Sequence, residues 1–254
     1  MTDETKINVD QVRGIAGLEN FEDESPQIPF VKILNGSAAT DADMAAGTIV
    51  GKNNEVLAEK GQPFVFIPIY IFTRYSIWEQ TTRSLIKFSF SKSGKWSDGT
   101  PILHEEVNWI GHNPPLATES FDIVILPVSE LNKAEEEREF YFLSIPIRNK
   151  QKAKFVKDLK TLFAKSSVEQ KVTELFSLAY SFTPEKVKDD KGNVWFEYAN
   201  PKFEKKIQDS TKQLCQTIYK ETKDINKMST ALTPTVMPAE DAATSAEVVN
   251  NPEF

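Results

Sequence analysis

The first sustained apolar run of the chain, residues 64–72, is rich in β-branched and aromatic side chains with no charged position, which predicts a buried strand. Ahead of it, Pro29-Phe30-Val31-Lys32-Ile33-Leu34 opens the ordered part, and Gly47 to Gly51 with Gly61-Gln62-Pro63 bracket a short hairpin-like connection. Residues 85–90 alternate apolar and polar with a period of two, as a half-buried strand does, and Ser93-Gly94 and Ser97-Asp98-Gly99 supply turns behind it. Residues 121–128 and 139–147 read as two further strands, paired across the charged loop 133–138.

At Lys150 the period changes to that of a helix. Phe155, Val156, Leu159, Leu162 and Phe163 fall on one side of a helix over 150–164, with Lys152, Lys154, Lys157 and Lys160 around the remaining surface. Strands at 174–183 and 194–199 follow, joined through the turn-forming Asp189-Asp190-Lys191-Gly192-Asn193. A second helix over 201–227 has Pro201 in its first turn and an apolar stripe of Phe203, Ile207, Leu214, Ile218 and Ile225. Neither end of the chain has a packing period. The expected organisation is a single mixed α+β body over residues 26–228, β-rich and carrying two amphipathic helices, between disordered acidic segments 1–25 and 229–254.

Charge sharpens this division. Of the net charge of −7, residues 1–27 carry −5 and residues 228–254 carry −4, so the stretch between them is slightly basic at +2. Within it, residues 148–171 hold eight basic side chains against Asp158 and Glu169, a candidate positive face. A single cysteine, Cys215, excludes an internal disulfide framework, so packing alone must hold the body. The polar opening MTDETKINVD is unlike a secretory signal, and no apolar run is long enough to span a bilayer; the cytoplasm is the expected location.

Catalytic motifs do not emerge from the residues that would carry them. His104 and His112, the only histidines, flank Glu105 and Glu106 but lack the spacing that places two histidines on one helix face around zinc. Gly94-Lys95 lacks the upstream glycine of a phosphate-binding loop, and Trp96 stands where a hydroxyl would hold magnesium. Cys215 reads as a small buried residue, and Asp41 and Asp43 beside Gly47 as a solvated acidic loop. The expectation is a protein without enzymatic activity, metal or cofactor. A metal-dependent nuclease, its carboxylates assembled only by the fold, is the enzymatic alternative.

Binding chemistry remains. Single-stranded nucleic acid is held by cations that track phosphates and aromatic faces that stack bases, each stack contributing roughly 1–3 kcal/mol. Tyr70, Phe72, Arg74, Tyr75, Trp78, Arg83 and Lys87 interleave the two kinds of side chain, and Lys92, Lys95 and Trp96 repeat the combination in a glycine-containing loop. Tyr70, Tyr75, Trp78 and Trp96 are the expected exposed stacking groups, with Lys152, Lys154 and Lys157 adding phosphate contacts. Aromatics in a strand-rich stretch also form cores, and a lysine-rich helix face is also an ordinary solvated surface.

The chain ends Glu247-Val248-Val249-Asn250-Asn251-Pro252-Glu253-Phe254, an acidic segment closing on an aromatic beside a carboxylate and a proline. It resembles the acidic tip of bacterial and bacteriophage single-stranded-DNA-binding proteins. A second similarity lies in residues 28–34 with Gly47-Thr48-Ile49-Val50-Gly51, which look like the start of phage proteins assigned to DNA replication. The resemblance implies an oligonucleotide-binding (OB-like) barrel, single-stranded DNA as ligand, and replication or recombination proteins recruited by Glu253 and Phe254. The tail departs from that pattern in having no continuous acidic run, which weakens any competition with DNA for a basic surface. A non-enzymatic phage scaffold or interaction protein is the rival from another class.

Overall fold

The computed structural model describes residues 29–79, 85–147, 150–189 and 192–222. Its architecture is mixed α+β, organised around β4, Phe64–Trp78, the strand begun by the first apolar run and continued well past Phe72. On one edge β4 pairs antiparallel with β6, Thr118–Pro127, along most of its length. On the other edge β8, Leu178–Phe182, pairs with its start and β5, Leu85–Ser89, with its end. With β7, Tyr141–Pro146, and β11, Lys202–Lys206, the sheet has the order β11-β8-β4-β6-β7, with β5 beside β8 on β4. The order is open, with β11 and β7 as its ends, rather than the closed ring of a barrel.

Both faces of this sheet are covered, which explains the unbroken apolar run of β6. Phe121, Ile123 and Ile125 point to one side, where Phe155, Val156, Leu159 and Phe163 of helix α3, Lys150–Gln170, pack on them. Val124 and Leu126 point to the other, against Cys215 and Ile218 of helix α4, Asp209–Thr222. β7 alternates in step: Tyr141, Leu143 and Ile145 join the α3 side, Phe142 the α4 side. At Ile69 the alternation of β4 is broken by a bulge, since Pro68 pairs with Ile125 and Tyr70 with Val124, leaving Ile69 without a partner. One extra residue moves every later side chain to the opposite face. Thus Phe64 and Phe66 face α3, whereas Tyr70 and Phe72 face α4.

Smaller elements close the sheet's flanks. β1, Lys32–Ile33, β2, Ile49–Val50, and β3, Val56–Ala58, form a three-stranded sheet, the hairpin anticipated from the glycines. Between β2 and β3, Gly51 lies under the ring of Tyr141, where a Cβ would come within 2.5 Å of the ring carbon Cε1, so only glycine allows this approach. Short helix α1, Gly36–Asp41, links β1 to β2, and α2, His104–Val107, lies in the long connection between β5 and β6. The β7 end of the sheet is partly closed by the entering chain, where Val31 N–H donates to Phe142 O at 2.9 Å and Phe142 N–H to Pro29 O at 2.7 Å. The β11 end presents exposed Lys202, Lys205 and Lys206, charges that discourage pairing with another chain.

Three expectations for the C-terminal third change. The strand anticipated over 174–183 begins as a single tight turn at Leu175–Ser177 before β8. The partner of β10, Val194–Glu197, is β9, Glu185–Lys188, a polar strand that shows no apolar alternation in the sequence. The helix anticipated over 201–227 starts only at Asp209, because Lys202–Lys206 is the edge strand β11. Phe203 and Ile207 stand four residues apart, a spacing that fits one helical turn and also two steps of strand alternation. Asn35 ties the β9–β10 hairpin to the opposite end of the chain: its Oδ1 accepts from Phe196 N–H at 2.6 Å and its amide donates to Phe196 O at 3.1 Å.

Candidate nucleic-acid interface

Strand alternation and the bulge divide the aromatic-basic cluster of β4 between two sides of the sheet. Tyr70 and Phe72 lie on the α4 side, both half-buried, and join a connected run of rings. Phe30 meets Phe142 at 5.4 Å between centroids, Phe142 meets Phe72 at 6.0 Å, and Phe72 meets Phe90 at 5.4 Å. Tyr70 continues the run to Tyr219 of α4 at 6.0 Å and thence to Phe176 at 5.6 Å. Phe30, Phe90 and Tyr219, like Tyr70 and Phe72, are half-buried, so this run offers ring area to solvent over several side chains.

Arg74 shares that side but is committed to the interior, at 3% exposure. Its Nε lies 2.9 Å from Asp122 Oδ2, while Ser144 Oγ donates to Asp122 Oδ1 at 2.6 Å. The guanidinium also stands over the Phe30 ring at 5.9 Å. A guanidinium so held is part of the fold's own electrostatics, and the role of a phosphate contact anticipated for it gives way to a buried ion pair.

On the other side, the chain between β5 and β6 folds over the end of β4. Tyr75 and Trp96 pack there with Val107 and Ala117, and Trp96 is only 3% exposed. Its indole N–H donates to Glu106 Oε2 at 2.7 Å, Leu103 N–H donates to the same oxygen at 2.8 Å, and Lys87 Nζ pairs with Oε1 at 2.7 Å. Burial pushes the Glu106 carboxyl up, but the hydrogen bonds from Lys87, Leu103 and Trp96 outweigh it and hold the group below the usual carboxylate range. Tyr75 donates to Glu119 Oε1 at 3.4 Å, and burial together with that carboxylate pushes its phenol up to about 12. Trp96 and Tyr75, expected as exposed stacking groups, are therefore packing groups, and Lys87 is an ion-pair partner. A polar sequence neighbourhood marked Trp96 for the surface; the buried Glu106 that receives its N–H was the missing partner.

The remaining candidates are distributed. Trp78 is half-buried at the end of β4, Lys92 lies 3.6 Å from Glu119 Oε2 with its Nζ 5.4 Å from the Tyr75 ring centre, and Lys95 is exposed. On α3, Lys152 is buried at 7% exposure, so its expected contact with phosphate gives way to an interior position. Lys154 is exposed and pairs with Asp158 at 2.8 Å, and Lys157 is exposed. Lys160 lies over the sheet face that α3 packs on, its Nζ 4.6 Å from the Phe121 ring centre. Arg83, Glu253 and Phe254 lie outside the described residues.

Two features went unread in the sequence. Tyr219 completes the ring run from the buried side of its helix, beside Cys215 and Ile218, and only the tertiary position of α4 brings it to Tyr70. Trp109, at 66% exposure, leads a projecting turn in which Ile110 and Asn113 exchange backbone hydrogen bonds of 3.1 and 3.0 Å around Gly111. Carboxylates do converge near β7, but each is engaged: Lys133 bridges Glu55 and Glu130 at 2.8 and 3.0 Å, and Glu139 pairs with Lys52 at 2.9 Å. Among the described residues no group of three or more His, Cys, Asp or Glu side chains is placed to hold a metal ion, and no helix is long and apolar enough to cross a membrane. Burial pushes the Cys215 thiol up to about 12, which removes it from nucleophilic chemistry at neutral pH. No family model, curated protein or solved structure matches the chain.

Proposed function

We propose that this protein binds single-stranded nucleic acid, DNA in the reading its C-terminal resemblance favours, on the α4 side of the sheet. The observation that carries the reading is the run of half-buried rings from Phe30 through Phe72 and Phe90 to Tyr70 and Tyr219. Stacked bases need aromatic faces at successive positions rather than one isolated ring, and they tolerate any sequence because every base has a π-face. The phosphates would be met by Lys220, exposed on α4, and by Lys157 of α3 only if the strand passes around the end of the sheet to its other face. The binding surface in this reading is the half-buried margin of the sheet face that α4 packs on, and kinship with an oligonucleotide-binding barrel rests on the tail resemblance alone. Recruitment of replication or recombination proteins through Glu253 and Phe254 rests on that resemblance too.

Fluorescence anisotropy of a labelled oligo-dT, titrated with the full chain at several salt concentrations, tests the proposal. The expected result is salt-sensitive binding to the single strand that exceeds binding to a duplex of equal length. Equal or absent binding to both rejects it. A scaffold or interaction role is the second reading, and a different observation favours it: Leu103, Trp109, Ile110 and Leu116 are all exposed within one short stretch. Clustered apolar side chains on a surface mark sites where other proteins dock.

A further inference from the structure

The two strands on one edge of β4 do not meet. β8 pairs with it as far as Phe66, β5 takes over at Tyr75, and among the described residues no strand pairs with the edge between them. Near the start of this gap is the bulge, where Ile69 lacks a partner on β6 as well. A pocket of about 440 Å³ opens there, within the roughly 300–1,000 Å³ of small-ligand sites. Ile69 and Tyr70 of β4, Phe176, and Gln216, Tyr219 and Lys220 of α4 are among its lining residues.

We infer that this pocket takes one nucleobase of the bound strand, with its phosphate at Lys220. The inference rests on the single-strand-binding reading and gives that reading a defined subsite. Tyr70 and Tyr219 touch at 6.0 Å with their planes 56° apart, so a base lies on the outer face of a ring and is not sandwiched between the two. Gln216 is exposed on the rim, and its amide offers both a donor and acceptors to a base edge. Peptide groups without a strand partner along the gap offer the same complement. Glu174 also lines the pocket, but Lys212 Nζ lies 3.2 Å from its Oε2, so the approaching phosphate meets a compensated carboxylate. An added peptide strand is the other occupant an open edge invites. Here Pro68 has no N–H and the bulge breaks the regular spacing of the edge, both of which disfavour a ladder.

The test uses the full chain and a dT oligonucleotide carrying one 5-iodouracil. Irradiation is expected to crosslink the base to Tyr70 or Tyr219, located by mass spectrometry of the digested adduct. Tyr219→Ala should weaken binding roughly 5- to 150-fold, the loss of one stacked base, while Tyr219→Phe retains it. Because Tyr219 also packs on Phe176, the exposed pair Gln216→Ala and Lys220→Ala provides a comparison that leaves the core intact. These two should weaken binding by a few-fold, with Lys220→Ala lowering the log–log salt slope by about 0.7. If the wild type binds the oligonucleotide but all three alanine variants bind equally well and the crosslinks fall elsewhere, the pocket assignment is wrong and the wider reading stands. If the wild type does not bind the oligonucleotide, the wider reading fails and the subsite with it. If a peptide, and no oligonucleotide, slows amide exchange along residues 69–74, the edge belongs to an added strand.

Discussion

The cations of β4 and β5 and those of α3 come from similar stretches of sequence, in which basic residues alternate with aromatic or apolar ones, yet they reach opposite circumstances. On the strands, Arg74 is bound to Asp122 and Lys87 to Glu106, and both cations are largely withdrawn from solvent. On the helix, Lys154 and Lys165 make only exposed pairs to residues one turn on, and Lys157 is exposed with no ion pair among the described residues. The difference follows from geometry. Where the sheet is covered on both faces a side chain points at packed neighbours, and a cation there must be matched by a buried carboxylate. A helix packed by one stripe leaves most of its circumference to water, so its cations stay available except where, as at Lys152, one turns inward.

Removing a strand cation is the strongest way to break this contrast. Arg74→Ala would strand Asp122, only 1% exposed, with Ser144 as its remaining donor, and a buried pair broken on one side costs about 3–5 kcal/mol. Urea denaturation should show a loss of that size. A loss below 1 kcal/mol would mean that Arg74 is not structurally committed and would return it to the candidate phosphate contacts. Trp96→Phe is the next test, since it keeps most of the packing but removes the N–H bound to Glu106. A hydrogen bond to a charged group contributes about 1.5–3 kcal/mol, and this substitution should lower stability by that amount without altering nucleic-acid affinity. A selective loss of affinity at unchanged stability would instead make Trp96 a stacking group.

A smaller effect is expected from acid. The folded pKa of Glu106 lies below its ordinary 4.5, so the stability it contributes is fully present above that value and is lost as pH falls through the folded one. Glu106→Gln should flatten the denaturation free energy in that acid window relative to the wild type. An unchanged slope between the two proteins would show that the ion pair with Lys87 is not tighter in the folded state.

The sequence carried the existence of β4, β6, β7 and α3, because each has a long, strongly periodic or unbroken apolar pattern. What it could not carry was phase. The bulge at Ile69 occupies a continuous run of bulky apolar residues, where one extra residue leaves no mark, yet it decides that Tyr70 and Phe72 face α4. The same limit applies to the candidate site. Aromatic and basic residues adjacent in sequence are on opposite faces of a strand, so the cluster from Tyr70 to Tyr75 could not be one surface. The rings that do meet are joined from β4, the residue after β5, β7, α4 and the entering chain, and no local spacing foretells that meeting.

The finest test separates two lysines of the same helix. Lys152 and Lys157 are equivalent in composition and were expected to act alike, but the first is 7% exposed and the second lies on the outer surface of α3. If α3 faces the bound strand, Lys157→Ala should leave stability within about 0.5 kcal/mol of wild type, as surface substitutions do, and lower the log–log salt slope for oligo-dT by about 0.7. Lys152→Ala should do the reverse, lowering stability with the slope unchanged, since a buried ammonium does not release a counterion from DNA. Thermal denaturation and salt titrations of the two single variants measure both quantities. Equal slopes in all three proteins would assign the outer face of α3 to solvent and confine phosphate contacts to the α4 side. A lowered slope in Lys157→Ala alone would extend the bound strand around the end of the sheet from one helix to the other.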